Sequence, residues 1–314
     1  VRIITPSRLH FGFIDPVGKS GRIYGSMGVA LKYPAWDLRF SRADRFVVDH
    51  RDDEVRRKVL EVADRVKEIY DVDVNLRVEI ASMIPLHKGF GAGTQLSLAI
   101  GEGMLRILGL PCEREDIVKV SGRGKRSGVG IASYFDGGFN LDVGRKRDGE
   151  GLPLSVFHFG FPRDWVFLVV LPSLDLNIHG GVEDSKIVQV DGMGVEEICT
   201  LVLMKLIPSL IERDIALFGE SVTLIQRLVG RMFSKPQGGV FAHPVCEMLI
   251  DFMLQSGAFG AGQSSWGPVV YGLVKRQDAL GLKRRVEEHL RAEDIAGDVW
   301  VVEVDNYGRK LVGE

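Results

Sequence analysis

Residues 85–95 read Pro-Leu-His-Lys-Gly-Phe-Gly-Ala-Gly-Thr-Gln, and a helix expected to start near Thr94 fills the rest of the stretch to Leu110. Gly89, Gly91 and Gly93 alternate just before that helix. Glycine lets successive backbone N–H groups turn to one side, and a helix start adds unpaired donors and the positive end of the dipole. The stretch therefore has the makings of a phosphate cradle; a plain tight turn is the simpler alternative. His87 and Lys88 add charge, Thr94 is placed to cap the helix, and Gln95 follows it. The spacing is neither G-x-x-x-x-G-K-[ST] nor a G-x-G-x-x-G closing a first strand.

Upstream, Val72, Val74, Leu76, Val78 and Ile80 alternate with polar or small residues, the period of a half-buried strand. Residues 55–70 carry one apolar helical stripe from Val59 to Tyr70. Residues 1–50 read as short strands, with turns at Gly18–Gly21 and Gly25–Gly28. Downstream, a helix is expected near 113–121, a loop over 122–130, and strand-turn-strand over 131–143 about Gly137-Gly138. The charged stretch 144–151 reads as a solvated hairpin or linker. The pattern then restarts: an apolar strand from Trp165 to Leu171, helices at 195–207 and 211–232 broken by Pro208, and a helix at 243–256. A strand at 269–274, a charged helix at 276–290 and a strand at 299–304 follow. This order suggests an α+β chain of two domains, 1–160 and 161–314.

Two further loops carry chemistry. Residues 122–130 hold Arg123, Lys125 and Arg126 among glycines, followed by Ser127. Three cations so close suit a phosphate or pyrophosphate clamp, or else a solvated basic turn. Residues 260–268 set Gln263, Ser264, Ser265 and Trp266 between glycines, which suits a planar polar ligand or a core tryptophan beside a turn. Near the N-terminus, Arg8 and His10 share one side of a strand, with Ser7, Asp15, Lys19 and Arg22 nearby. Asp15 could serve sugar hydroxyls or a metal. Asp175, Asn177, His179, Glu183, Asp184 and Lys186 form a polar cluster after the apolar strand. Together these loops favour a site for an anionic substrate.

The global numbers set limits. Forty basic and 42 acidic residues give a formal charge of -2, which argues against nucleic-acid binding as the main task. Cys112, Cys199 and Cys246 are too widely spaced for a zinc finger, and an odd number is a poor disulfide framework, so a cytoplasmic setting is expected. No apolar run approaches a membrane span, and Val1–Phe13 lacks the pattern of a secretory signal.

These motifs resemble the GHMP superfamily of small-molecule kinases. Pro6-Ser7-Arg8 is similar to its first motif, residues 85–95 to its nucleotide-phosphate loop, and Phe259–Pro268 to its glycine-rich third motif. The resemblance implies an N-terminal domain like ribosomal protein S5 domain 2 and a C-terminal ferredoxin-like domain. The kinases carry Ser-Gly-x-Asp in the central loop, whereas this chain has Ser127-Gly128-Val129-Gly130. Lys119 stands where kinases of the mevalonate type hold a magnesium-binding Glu, so a glycine and a lysine replace two working carboxylates.

A closer resemblance is to the beta-ribofuranosylaminobenzene 5'-phosphate synthases. It rests on PSRLHFGFID, GRIYGSMGVAL, GFGAGTQLSLA, RSGVGIASYFDGGFNLDVG and GQSSWGP. It implies a decarboxylating phosphoribosyl transfer from phosphoribosyl pyrophosphate to 4-aminobenzoate or 4-hydroxybenzoate, with magnesium, in a homodimer. On that reading Asp15, Asp136 and His10 are candidate catalytic groups. Arg8, Arg22, His87, Lys88, Gly89, Gly91, Gly93, Thr94, Gln95, Arg123, Lys125, Arg126, Ser127, His179, Gln263, Ser264 and Trp266 are candidate substrate contacts. An ATP-dependent small-molecule kinase and a ligand-sensing relative without catalysis are the competing readings.

Overall fold

Two sheets share one interior. The computed structural model describes residues 1–149, 151–174, 190 and 192–313. The first sheet is built on two long strands, β1 (Arg2–Asp15) and β2 (Arg22–Arg42), of 14 and 21 residues. The expected short strands are therefore fused. Gly25–Gly28 does not end a strand but lies inside β2, and slips of register at Thr5/Ser7 and His10/Gly12 bend the pair.

Next come β3 (Val47–Asp49), α1 (Asp53–Tyr70), β4 (Leu76–Ser82), α2 (Ala92–Leu108) and α3 (Arg114–Ser121). Strand β4 starts at Leu76, so Val72 and Val74 precede it; it runs antiparallel to β2 and parallel to β3. Helix α2 starts two residues before Thr94. Gly91 caps it in the left-handed region without a side-chain bond, so Thr94 is not the cap.

The strand-turn-strand expected over 131–143 is a short helix, α4 (Val129–Phe135), then β5 (Phe139–Asp142). Ile131, Ala132, Ser133 and Tyr134 are all buried, and a short apolar run does not tell helix from strand by period. Strands β6 (Arg145–Lys146) and β7 (Ser155–Phe159) complete this part.

The second sheet orders as β11-β8-β10-β9, antiparallel throughout: β8 (Trp165–Pro172), β9 (Gly260–Gln263), β10 (Val270–Lys275) and β11 (Gly297–Glu303). Its helices are α5 (Val195–Leu201), α6 (Ile207–Glu212), α7 (Ile215–Met232), α8 (Ser234–Gln237), α9 (Pro244–Gln255) and α10 (Ala279–Ala292). Pro208 does not break the helical run. A π-helical turn, Val202–Leu206, carries the run past it, and the chain turns at Arg213, whose φ is +61°.

Strand β8 explains why its sequence is apolar on every residue. Val166, Leu168 and Val170 face a core with Leu249, Ile250 and Met253 of α9 and Leu282 and Val286 of α10. Phe167 and Val169 face the other way, into a core shared with Phe11 of β1 and Phe139 of β5. The division expected at 160/161 falls in the connection between β7 and β8. The tail amends it: β12 (Lys310–Val312) returns to pair with β1, and Arg309 reaches the fully buried Glu102 of α2.

Candidate active site

Strand β1 holds all three glycine loops. The backbone N–H of Arg8 donates to the Phe90 carbonyl at 3.0 Å, and its guanidinium donates to the Gly89 carbonyl at 2.6 Å. Two residues on, the His10 N–H donates to Ser264 Oγ at 2.9 Å, while Ser265 N–H donates to the His10 carbonyl at 3.3 Å. His10 Nε2 lies 3.3 Å from Ser127 Oγ in the basic loop.

The loops also touch one another. Ser264 Oγ donates to the Gly89 carbonyl at 2.7 Å, and Val269 N–H to the Lys88 carbonyl at 3.2 Å. Gly89 has φ +100°, and a Cβ there would stand 2.4 Å from the Ser264 carbonyl oxygen. Only glycine allows that approach. A Cβ on Gly91 would meet the Arg8 side chain at 3.0 Å.

The cations of the second loop divide. Arg123 donates to Ser97 Oγ at 3.1 Å and reaches beside Gly93. Arg126 lies close enough to act on the charge of His10. Lys125 is exposed, and its carbonyl accepts from Arg145.

Burial first, then the charges of Arg8 and Arg126, hold the His10 imidazolium well below the usual histidine range. The ring is therefore neutral near pH 7. Its Nδ1 accepts from Gly12 N–H at 3.2 Å, which leaves the hydrogen on Nε2, directed at Ser127.

Beside His10 opens a cleft of about 450 Å³, solvent at its mouth included. Phe13, Phe233, Phe241, Val229 and Trp266 give it apolar walls. Trp266 stands edge-on to Phe233, with centroids 5.3 Å apart. Gln263 lines the cleft with its amide already used: Oε1 accepts from Ala242 N–H and Nε2 donates to the Ser265 carbonyl.

Several expected site residues serve elsewhere. Asp136 ends α4 and pairs with Arg114 at 2.9 Å on the outer side, away from the cleft lining. The Asp15 carboxylate accepts from Gly18 N–H, Ser20 N–H and Ser20 Oγ, so it closes its own turn. Arg22 donates to the carbonyls of Val143 and Gly144. His87 pairs with Glu54 at 2.7 Å. Gln95 is buried and donates to the Gly130 carbonyl at 2.7 Å. Thr94 packs its methyl toward Gly130. His179 and its polar neighbours from Asp175 to Lys186 lie outside the described residues.

Asp142 and Ser26, which sequence reasoning does not single out, stand together beside the second loop. Asp142, 2% exposed, accepts from Ser26 Oγ, Gly128 N–H and Gly144 N–H. Burial, only partly offset by these bonds, raises its carboxyl above the usual range. The available signal was a lone acid closing the otherwise uncharged stretch Phe139-Asn-Leu-Asp142. Among the described residues, no three His, Cys, Asp or Glu side chains converge to hold a metal.

This chain, with its two sheets and a glycine loop at the head of a buried helix, belongs to the GHMP kinase superfamily. Residues 57–138 match the GHMP kinases N terminal domain and residues 206–292 the GHMP kinases C terminal. Homoserine kinase from Cytophaga hutchinsonii superposes with a TM-score of 0.72, covering 99% of this chain and 96% of that one at 18% identity. A mevalonate kinase from L. major gives 0.71, covering 98% and 97% at 17% identity.

Within the superfamily, the chain belongs to the beta-ribofuranosylphenol/aminobenzene 5'-phosphate synthase family. It is 33% identical over 293 residues to the beta-ribofuranosylphenol 5'-phosphate synthase of Methanothermobacter thermautotrophicus, covering 87% of this chain and 88% of that protein. Its match to the enzyme of the same name from Methanocaldococcus jannaschii is 30% identical over 342 residues, covering 98% and 99%.

Proposed function

We propose that the protein joins C1 of 5-phosphoribosyl 1-pyrophosphate to the carboxylate-bearing ring carbon of 4-hydroxybenzoate. Pyrophosphate leaves C1, the new C–C bond forms, and the ring then loses its carboxylate as carbon dioxide. The electron pair of that broken bond restores aromaticity, so no ring proton has to be removed. The relatives named for a phenol product favour the hydroxy acid over the amino acid that stood first in the sequence reading.

The observation that carries this reading over a kinase is Gly130. It replaces the acid of the kinase loop, and a Cβ there would lie 2.8 Å from the Thr94 methyl. The position that activates an alcohol in the kinases therefore has no group that can take a proton.

In this reading the N–H groups of residues 89–93, with Arg8, Arg123 and Arg126, receive the phosphate charge. A preorganised donor at developing charge is typically worth about 3 kcal/mol. Magnesium enters as the counterion of the pyrophosphate, which supplies oxygens of the kind that ion prefers. The cleft beside Trp266 and Phe233 takes the aromatic ring and holds it against C1.

A homodimer belongs to the same reading. Leu203, Met204 and, about two turns on, Ile211 are exposed and offer the apolar contact.

The test is incubation with phosphoribosyl pyrophosphate, magnesium and each aromatic acid in turn. Equal yields of carbon dioxide, pyrophosphate and aryl riboside phosphate are expected, with the hydroxy acid preferred. ADP release from ATP and an alcohol, without those products, would replace this reading by the kinase.

A further inference from the structure

We infer that His10, Ser127, Ser26 and Asp142 form a proton relay that takes up the phenolic proton of the acceptor as its ring attacks the ribose. This rests on the reading above, in which the cleft receives a 4-hydroxyaryl acid.

The hydrogen bonds run in one direction. Gly12 N–H can only donate, so Nδ1 of His10 carries the lone pair and Nε2 the hydrogen. Nε2 faces Ser127 Oγ at 3.3 Å. Ser127 Oγ also accepts from Val129 N–H, so its own hydrogen is left for Ser26 Oγ, 2.7 Å away. Ser26 in turn donates to Asp142 Oδ2 at 2.5 Å. Four side chains from β1, the basic loop, β2 and β5 thus connect the cleft wall to a buried carboxylate. His10 and Gly12 both line the cleft; a ring hydroxyl that enters there takes over the Gly12 N–H as acceptor and gives its own hydrogen to the Nδ1 lone pair that Gly12 otherwise occupies.

The chemistry needs such a sink. Attack through the carboxylate-bearing carbon puts positive charge on the ring and on the oxygen para to it. Loss of the O–H proton gives a neutral dienone instead, which lowers the barrier. The phenolic oxygen replaces Nδ1 as the acceptor of the Gly12 N–H, its proton goes to the freed Nδ1 lone pair, and the Nε2 hydrogen passes to Ser127. The Ser127 hydrogen then moves to Ser26 and the Ser26 hydrogen to Asp142. One phenolic O–H bond breaks and one carboxylic O–H bond forms. When carbon dioxide leaves, the C–C electron pair returns to the ring, the oxygen becomes phenolate, and the proton returns along the same path. The cycle needs no other acid or base.

The surrounding charges agree. Arg8 and Arg126 face His10 and oppose a lasting imidazolium. The hydrogen-bonding neighbours of Asp142 are a hydroxyl and backbone amides, and burial favours its protonated form. Both shifts act in one sense, away from the ring and toward the carboxylate.

The test compares Asp142→Asn and Ser127→Ala on 4-hydroxybenzoate and on 3,5-difluoro-4-hydroxybenzoate at mildly alkaline pH, where the fluorinated phenol is already ionised. With the ordinary acceptor, kcat is expected to fall by about 100-fold, in the range of general acid–base catalysis. KM for phosphoribosyl pyrophosphate should stay within about twofold, and most of the loss should vanish with the ionised acceptor. Ser127→Thr, which keeps the hydroxyl, should restore activity. Equal losses on both acceptors, or no loss on either, would overturn the relay. If Asp142→Asn does not fold, Ser127→Ala decides alone, since it leaves the bonds to the carboxylate intact. A wild-type enzyme that converts neither acid would sink the aryl-transfer reading itself, and the relay with it.

Discussion

His10 is neutral for reasons that bear on stability as well as on chemistry. Its folded-state value lies below the ordinary one, so the unfolded chain binds more protons in acid. The stability tied to this histidine is therefore fully present above about pH 6.5 and falls as pH drops below it, by at most about 1.4 kcal/mol per pH unit. Urea unfolding at neutral and mildly acidic pH should show that slope, and His10→Gln should flatten it. Equal slopes in both proteins would mean that other groups govern acid sensitivity. The residue scale is also where sequence reading failed most. Asp15 and Asp136 are the sequence candidates for a carboxylate near the developing sugar cation, yet one closes a turn and the other pairs with Arg114. Asp142 was passed over because nothing in its local sequence announces Ser26, 116 positions away. A carboxylate's task is set by the partners that folding brings to it.

At the scale of elements, glycine made much of the site legible. Each loop carried its own signal, because close backbone approach and positive φ demand a residue without a Cβ. What the loops could not show is that one strand, β1, ties them together. Gly89→Ala tests that arrangement. The methyl would meet the Ser264 carbonyl oxygen at 2.4 Å in a left-handed conformation, so the first and third loops must part. We expect kcat/KM for phosphoribosyl pyrophosphate to fall at least about 30-fold, equivalent to about 2 kcal/mol of lost transition-state contact. The fold, held by both sheets, should survive with little change in circular dichroism. Unchanged kinetics would show that the contact between these loops is not needed. The helix at 129–135 and the π-turn at 202–206 escaped sequence reading for a different reason. One is too short to display its period, and the other uses an added residue that no propensity signals.

For the whole molecule, the returning tail matters more than its length suggests. Glu102 is fully buried on α2 and receives Arg309, Tyr134 and Arg106. Burial pushes its carboxyl up, but the bonds from Arg309, Tyr134 and Arg106 outweigh it and the net shift is downward. That contribution is present above the unfolded carboxyl value of about 4.3 and is lost as pH falls through the lower folded value. Arg309→Ala should cost about 3 kcal/mol, because it strands a buried charge, and should lower the urea midpoint. A change under about 0.5 kcal/mol would show that Arg106 and Tyr134 satisfy the carboxylate unaided. Oligomeric state belongs to this scale too. Met204→Glu should convert a dimer to monomers in sedimentation velocity, and a wild type that sediments as a monomer would remove the homodimer proposal.

The sheet whose two faces serve two cores leaves this enzyme little freedom to open like a clamshell. Phe167 and Tyr271 lean on Phe11, one residue from His10. Prising the halves apart would expose these rings at about 2–3 kcal/mol each. Traffic of sugar, aromatic acid and products must therefore pass without the halves parting, by way of the cleft that His10, Phe233 and Trp266 line, where narrowing by a single methyl would show in the rate of product escape.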